Sequence, residues 1–162
     1  MTSFIDHLFD LKGRVAAVTG GGGYLCGEMA RGLAKAGCRV VVMDLRVRKA
    51  EAVAEKIRND IGGEAIGIGF DASDKDAFKA GLAKTIDTYG HADILINGAG
   101  INAPTPFLEI DLEEFNAVMN SQITSTLFGC QVFGEHMLKR GKGTIINISS
   151  ASAGPPLSKA FI

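Results

Sequence analysis

The 162-residue sequence has few of the residues that bind metals or form disulfides. It contains three cysteines and three histidines, and these are scattered along the chain without the close spacing of a metal site. We therefore expect no metal site, and free thiols as in a protein of the reducing cytoplasm. Residues 1–11 carry Asp6 and Asp10 and lack the unbroken apolar run of a signal peptide. The expected location is cytoplasmic.

Long apolar runs and an excess of one charge are also missing. No stretch approaches the roughly 20 apolar residues that a transmembrane helix needs, so we expect no membrane association. The formal net charge is -1 and no basic stripe runs along the chain, which gives no reason to expect nucleic acid as a partner. Hydrophobic residues make up 46% and charged residues 22%, as in an ordinary globular protein. The length fits a single domain over residues 1–162.

Short runs of β-branched residues alternate with helical segments. The patterns predict strands over 14–19, 39–43, 65–69, 93–96 and 143–148, and helices over 25–36, 48–60, 73–89 and 112–139. Ser73 is the predicted N-cap of the third helix, with Asp76 three residues further on. The strands are almost continuously apolar, which is typical of a parallel sheet covered on both faces. The alternation predicts an α/β fold, a Rossmann-like doubly wound parallel sheet of about five strands.

A glycine-rich loop follows the first predicted strand. It reads Thr19-Gly-Gly-Gly-Gly-Tyr-Leu-Cys-Gly27 and leads directly into a helix. Glycines let the backbone turn tightly, which a strand-to-helix turn often requires for steric reasons alone. At the first strand-to-helix junction they also let a pyrophosphate approach the helix N-terminus, where free N–H groups and the helix dipole favour an anion. The predicted cofactor-binding residues in this loop are Thr19, Gly20, Gly21, Gly23, Tyr24 and Leu25.

Acidic and small residues follow the next three strands. Asp44 comes directly after the second strand, 24 residues beyond Gly20. Its carboxylate is placed either to accept hydrogen bonds from ribose hydroxyls or to lie on an ordinary solvated turn. Because ligands of open α/β sheets bind outside the carboxyl ends of the strands, loops after all four strands converge on one predicted site. The further cofactor-binding residues predicted there are Asp71, Ala72, Asn97, Gly98, Ala99 and Gly100.

These motifs resemble those of the short-chain dehydrogenase/reductase family over essentially the whole chain. Thr19-Gly20 and the following glycines resemble its Thr-Gly-x-x-x-Gly-x-Gly loop, and Asn97-Gly-Ala-Gly100 resembles its Asn-Asn-Ala-Gly, which steadies the central sheet. By the same match Asp71 contacts the adenine, and Ser150 hydrogen-bonds the substrate oxygen. The glycine loop and the segment 95–100 are also similar to a sugar-acid (fructuronate-type) reductase subgroup.

The resemblance implies an oxidoreductase that moves a hydride between a nicotinamide cofactor and a small carbonyl or alcohol substrate. NAD is expected in preference to NADP, because Asp44 would face a 2′-phosphate, although Arg46 and Arg48 lie close enough to weaken that effect. The resemblance further implies a homo-oligomer, a dimer or a tetramer, through the Leu112–Lys139 helix. Apolar residues of that helix are expected to be partly exposed in this chain, namely Leu127, Phe128, Val132 and Phe133.

The chain departs from the family pattern at three places. The second and third glycines of the family loop fall on Tyr24 and Cys26, so that the remaining glycines give a differently shaped loop. The family's asparagine that anchors a proton-relay water falls on Gln122, whose side chain is one methylene longer. We count Gln122 and Ser150 as the candidate catalytic residues.

The third departure is that the family's Tyr-x-x-x-Lys pair, expected after Ser150, is not among these residues. We therefore expect the chain to be the cofactor-binding part of a longer enzyme. It should reduce no carbonyl by itself, because alkoxide formation needs a proton donor within reach. Two other classes stay open. One is a dinucleotide-binding module without catalysis, and the other is an S-adenosylmethionine-dependent methyltransferase, which also has a glycine-rich loop after its first strand and an acid after its second.

Overall fold

A computed structural model describes residues 10–150 of the chain. The interpretation of residues 1–11 as lacking a signal peptide therefore concerns a segment that lies almost wholly outside the described residues.

Five parallel strands form one sheet in the order β3-β2-β1-β4-β5. Every strand end lies within one residue of its predicted position, and the strands are β1 (Val15–Thr19), β2 (Arg39–Asp44), β3 (Ala65–Gly69), β4 (Ile94–Asn97) and β5 (Thr144–Asn147). All residues of β1 and β4 are buried, as expected for central strands with both faces covered. The predicted Rossmann-like, doubly wound α/β fold is confirmed.

Helices follow the strands on both sides of the sheet. They are α1 (Tyr24–Lys35), α2 (Val47–Lys56), α3 (Lys75–Tyr89), α4 (Leu112–Met119) and α5 (Ser125–Arg140), with a π-helical turn after α2 (Ile57–Ile61) and another between α4 and α5 (Asn120–Thr124). The prediction that Ser73 caps the third helix is wrong. Asp74 is the N-cap, and its carboxylate accepts a hydrogen bond from the Asp76 N–H at 2.8 Å.

Alternate residues of the strands pack against opposite helical layers. On one side, Ala16 and Val18 of β1 form a core with residues of α1 and α2. On the other side, Ala17 packs in a core with Phe78 of α3 and Phe133 of α5. The period of two along each strand therefore divides the core into two halves, as a doubly wound sheet requires.

The π turn at 120–124 changes which residues of the long helix face the core. An extra residue in a helical turn rotates everything after it relative to a regular α-helix. Val132 and Phe133 are 9% and 0% exposed, so the expectation that they would be partly exposed is wrong, because they pack on the sheet. Leu127 is 51% exposed, and Phe128 is half-buried; both agree with that expectation.

Asp93 joins the amino ends of β1 and β4. Its buried carboxylate accepts hydrogen bonds from the Val15 N–H at 3.0 Å and the Arg140 guanidinium at 2.9 Å, and His91 Nε2 lies 2.9 Å away. Burial raises the pKa of this carboxyl, but the hydrogen bonds from Val15 and Arg140 outweigh burial and hold the pKa below its usual range. The ionised carboxylate therefore ties β1, β4 and α5 together at this edge of the sheet.

At Gly67, β3 comes unusually close to α2. A Cβ built on Gly67 would lie 2.5 Å from the Ala50 carbonyl carbon, and this backbone atom cannot move independently of the helix. By contrast, a Cβ on Gly32 of α1 would meet nothing within 4 Å. Close packing therefore requires glycine at position 67 but not at position 32, so Gly32 can serve as a control for Gly67.

We predict that Gly67→Ala lowers the free energy of unfolding by about 1–3 kcal/mol, because the methyl group overpacks the contact between β3 and α2. Gly32→Ala should leave stability unchanged or raise it by up to about 1 kcal/mol, because alanine is the better helix former. Urea denaturation of the chain followed by circular dichroism measures both. Equal effects of the two substitutions would contradict the predicted close packing at Gly67.

Candidate functional site

The carboxyl ends of the strands border a cleft of about 590 Å³. The chain leaves β1 toward β2 on one side of the sheet, and β4 and β5 lie on the other, so the strand order reverses between β1 and β4. Such a switch point is where open α/β sheets bind ligands. Most of the cleft is lined by residues that follow the first four strands, namely Gly20, residues 44–46, residues 70–73 and residues 99–101. The remainder comes from Ala117, Asn120 and Ser121.

Close contacts explain why the loop after β1 contains so many glycines. Gly20 has a φ of +66°, and a Cβ on it would lie 2.9 Å from the Gly98 carbonyl oxygen. Gly21 donates its N–H to the Met43 carbonyl at 3.0 Å, and a Cβ there would lie 2.7 Å from a Val42 methyl group. The loop is therefore packed tightly between the ends of β2 and β4.

The loop leads into an uncapped helix N-terminus. Gly23 is the N-cap of α1 and provides no side-chain hydrogen bond, and the first turn carries no acidic residue. The N–H groups of the first helical residues, from Tyr24 to Cys26, have no intrahelical acceptor in such a helix. The side chain of Tyr24 is 90% exposed and does not fill the core. This helix end can accept an anion through its N–H groups and its dipole.

Gly27 and Cys26 show how the loop differs from the family pattern. A Cβ on Gly27 would lie 3.2 Å from the Gly21 carbonyl oxygen, so Gly27 allows the close helix packing that the third glycine of such loops provides. Cys26 is buried, and its thiol donates to the Gly98 carbonyl at 3.6 Å. Burial, and then the charge of Asp44, raise the pKa of the Cys26 thiol. Cys26 is therefore a packing residue rather than a nucleophile.

Asp44, at the end of β2, lies beneath the glycine loop. The side chain is buried, and its two oxygens accept hydrogen bonds from the Gly22 N–H at 3.1 Å and the Arg46 N–H at 2.9 Å. Arg46 Nε lies 3.7 Å from Oδ1. Because each carboxylate oxygen has two lone pairs, both oxygens can accept one further hydrogen bond from a ligand in the cleft.

Thr19 connects the loops after β1 and β4. Its hydroxyl donates to the Ile96 carbonyl at 3.3 Å and accepts from the N–H groups of Gly98 and Ala99 at 3.0 and 3.2 Å. A hydroxyl has one hydrogen and two lone pairs, so the protein itself uses its full capacity. Thr19 therefore shapes the cleft through the backbone of residues 98 and 99.

Asn97 connects β4, β5 and α5. Its Nδ2 donates to Asn147 Oδ1 at 2.9 Å, and its buried Oδ1 has no hydrogen-bond partner within residues 10–150. A Cβ on Gly129 of α5 would collide with Oδ1, so the amide fits only against a glycine. Asn97 thus holds the central and edge strands in register next to the cleft.

Gln122 and Ser121, in the π turn before α5, hold the loop after β4. Gln122 Nε2 donates to the Ile101 carbonyl at 2.7 Å, and the Ile101 N–H donates to Ser121 Oγ at 3.2 Å. A Cβ on Gly100 would lie 3.0 Å from Gln122 Cγ. The two side chains fix both backbone polar groups of Ile101. The interpretation from the sequence assigned a role to Gln122 but missed Ser121, for which the sequence carries no distinctive signal.

The remaining candidate residues lie on the same edge of the sheet. Asp71 is exposed and borders the cleft with Ala72, and its Oδ1 accepts hydrogen bonds from the N–H and the hydroxyl of Ser73 at 2.9 and 2.6 Å. Ser150 is exposed and lies three residues beyond the end of β5. The cleft thus brings Gly20, Asp44, Asp71 and the segment 99–100 together around one space.

The part of the chain from residue 10 to residue 150 contains no cluster of three or more histidine, cysteine, aspartate or glutamate side chains that could hold a metal ion. Within the same range, every helix is too short or too polar to cross a bilayer.

Comparison with known proteins links this arrangement to a family. The sequence model described as short chain dehydrogenase matches residues 14–160. The chain is 32% identical to D-threitol dehydrogenase of Mycolicibacterium smegmatis over 92% of its own length and 57% of that protein. It is 35% identical to 2-dehydro-3-deoxy-D-gluconate 5-dehydrogenase of Formosa agariphila over 88% of its length and 54% of that protein. The chain therefore spans a little more than half the length of these curated relatives.

A solved structure supports the same assignment. A short-chain type dehydrogenase/reductase from Mycobacterium marinum superposes with a TM-score of 0.91 at 28% identity, covering 98% of this chain and 64% of that one. The family match over residues 14–160 and the common fold agree with the cleft at the switch point. The chain belongs to the short chain dehydrogenase family.

Proposed function

We propose that the protein is an oxidoreductase that transfers a hydride between NAD and a carbonyl or alcohol carbon of a small polyhydroxylated substrate. One observation carries this proposal. At the switch point of the sheet, a cleft is lined by the buried carboxylate of Asp44, which retains hydrogen-bonding capacity, and by Gly20, the first residue of the loop that leads into the uncapped N-terminus of α1. An anion acceptor next to a hydroxyl acceptor matches the pyrophosphate and ribose of a dinucleotide.

The residues of the cleft fit NAD. The N-terminus of α1 would hold the pyrophosphate, because the N–H groups of Tyr24 and Leu25 have no intrahelical acceptor, while Gly21 and Gly23 would let the phosphates come close to the loop. Asp44 would accept the ribose hydroxyls. The cleft volume of about 590 Å³ lies in the range of ordinary ligand sites, about 300–1,000 Å³.

The adenine would lie next to Asp71 and Ala72 after β3. The loop of Asn97, Gly98, Ala99 and Gly100, held by Thr19, would form the wall on the other side. When bound, the nicotinamide supplies or accepts the hydride.

The substrate would bind past the end of β5, where we assign Ser150 to hydrogen-bond its reacting oxygen. Gln122 would act indirectly, because its amide holds the backbone of Ile101. The names of the two relatives refer to a polyol, D-threitol, and to a sugar acid, 2-dehydro-3-deoxy-D-gluconate. These names support a polyhydroxylated alcohol or ketone as the substrate class. The free thiols of Cys26, Cys38 and Cys130 support a cytoplasmic location.

We also propose that the protein forms a homo-oligomer through the continuous helical segment that consists of α4, the π turn and α5. Leu127 and Leu138 are 51% and 83% exposed. Their spacing is close to three turns of about 3.6 residues, so they lie on the same face of α5. These exposed apolar side chains, together with the oligomer that the family resemblance implies, support a contact along this face.

The first prediction tests the cofactor class. The chain should bind NADH in isothermal titration and should not bind S-adenosylmethionine, because the cleft provides an anion site for a pyrophosphate and S-adenosylmethionine carries none. Binding of S-adenosylmethionine without NADH would contradict the proposed function and favour a methyltransferase.

The second prediction concerns Asp44. Asp44→Ala should weaken NADH binding by about 10-fold or more, the loss expected for a hydrogen bond to a charged group of about 1.5–3 kcal/mol. NADPH binding should weaken less or improve, because the repulsion of its 2′-phosphate is removed. Asp87→Ala, an exposed aspartate of α3, is the control and should change neither affinity. If the ratio of the affinities for NADH and NADPH were unchanged in Asp44→Ala, Asp44 would not reach the ribose.

The third prediction concerns assembly. The chain should associate at high concentration, and Leu127→Glu should reduce this association because a charge in an apolar contact is costly to desolvate. Leu108→Glu serves as the control, since Leu108 is 94% exposed but lies outside the helix. Light scattering over a concentration series measures both variants. A chain that stays monomeric throughout would contradict the proposed contact.

A further inference from the structure

The geometry points to Gly22 as a specificity-determining residue that selects NAD over NADP by positioning the Asp44 carboxylate. This inference rests on the proposed function. Gly22 is a positioning residue, because it acts on the ribose through Asp44. The expected preference for NAD was attributed above to the charge of Asp44. The role inferred for Gly22 is to set the orientation of that charge.

Gly22 fixes one of the two carboxylate oxygens. Its N–H donates to Asp44 Oδ2 at 3.1 Å, while the Arg46 N–H donates to Oδ1 at 2.9 Å. With both oxygens held by backbone donors, the carboxylate is restrained in one orientation at the end of β2. The remaining lone pair on each oxygen is then available to a ligand.

No side chain fits at position 22 without moving Asp44. A Cβ on Gly22 would lie 2.9 Å from both Cγ and Oδ2 of Asp44, and 2.7 Å from Lys49 Cβ. Lys49 Cβ is attached directly to the backbone of α2 and cannot turn aside. The carboxylate is the end of a rotatable side chain and can. A methyl group at position 22 would therefore displace the carboxylate, and its contact with Lys49 Cβ would require a small shift of the loop or of α2 as well.

The backbone itself does not require glycine at this position. Gly22 is not among the glycines with positive φ in the described part of the chain, whereas its neighbour Gly20 is. Alanine can adopt the φ of residue 22, so the effect of Gly22→Ala would come from the space that its methyl group occupies. This separates Gly22 from Gly20, where any side chain would also strain the loop.

Displacing the carboxylate should change cofactor preference in two ways. The ribose hydroxyl of NAD would lose an oriented acceptor, which weakens NAD binding. The 2′-phosphate of NADP would meet a more distant negative charge, and the cationic side chain of Arg46, whose Nε now lies 3.7 Å from Asp44 Oδ1, would be free to attract it. Gly22→Ala should thus shift preference toward NADP while Asp44 and its charge are retained.

The test is equilibrium binding of three ligands to the chain: NADH, NADPH, and NADH lacking the 2′-hydroxyl of the adenosine ribose. In Gly22→Ala we expect NADH to bind about 10-fold more weakly, the loss of roughly one hydrogen bond to a charged group, and NADPH to change by less than about 2-fold by the same reasoning. The chain should bind NADH more tightly than the 2′-deoxy analogue, and Gly22→Ala should lose this difference. Gly32→Ala, with open space at its Cβ, is the matched control and should retain every preference.

A double-mutant cycle separates positioning from general damage to the loop. If Gly22 acts through Asp44, adding Gly22→Ala to Asp44→Ala should leave the NADH to NADPH ratio of Asp44→Ala unchanged. If Gly22→Ala proves too unstable in urea denaturation, the same ligands are measured with Gly22→Ala combined with Lys49→Gly. That variant opens space on the other side of the methyl group and should restore part of the NADH preference.

Each contrary result has its own meaning. Equal weakening of all three ligands by Gly22→Ala would overturn the inference, since loop damage cannot distinguish a 2′-hydroxyl. An unchanged ratio of NADH to NADPH would overturn it as well. If the unmodified chain bound neither NADH nor NADPH, the proposed function would fail, and that result is distinguishable because it precedes any substitution.

Discussion

The hydroxyl of Thr19 is the interaction on which the geometry of the site depends. This single buried group joins the end of β1 to the Ile96 carbonyl and to the backbone N–H groups of Gly98 and Ala99. The strand order reverses between β1 and β4, and Thr19 ties together the backbones of the two loops that follow these strands. Because the hydroxyl has no capacity left, it fixes the separation of the loops rather than contacting a ligand. The cleft is therefore set by the central strands and not by the mobility of surface loops.

Most of the fold could be predicted, because the strands of a doubly wound sheet are apolar on both faces and therefore form nearly continuous apolar runs in the sequence. The long helix was the exception. A π turn at 120–124 interrupts it, which the apolar pattern did not indicate. Phe133 was expected to be partly exposed because the family resemblance placed this helix at a subunit interface, but Phe133 packs in the core. The N-cap was predicted at Ser73 but lies at Asp74. Both side chains can cap a helix, and only the backbone geometry decides between them.

At the site, the sequence indicated which residues meet but not how they use their atoms. Asp44, Asp71 and Gly20 could be grouped because the carboxyl ends of parallel strands share an edge. The hydrogen bond from Gly22 to Asp44, and the one from Gln122 to Ile101, join segments 22 and 21 residues apart. Such contacts depend on the distances between loops, and residue types and their spacing in the sequence do not indicate these distances. A glycine in particular gives no sign in the sequence of whether conformation or space requires it.

Cys26 and Gly98 together show how a departure from a family pattern is accommodated. The family has glycine where this chain has Cys26, and asparagine where it has Gly98. The Cys26 sulfur occupies the place that a Cβ on residue 98 would need, so the larger residue on α1 is matched by the smaller one after β4. We expect the two positions to be coupled: an asparagine at position 98 alone would collide with the thiol, and a glycine at position 26 alone would leave a void. Grafting this loop into a relative, or a relative's loop into this chain, would have to exchange both positions at once.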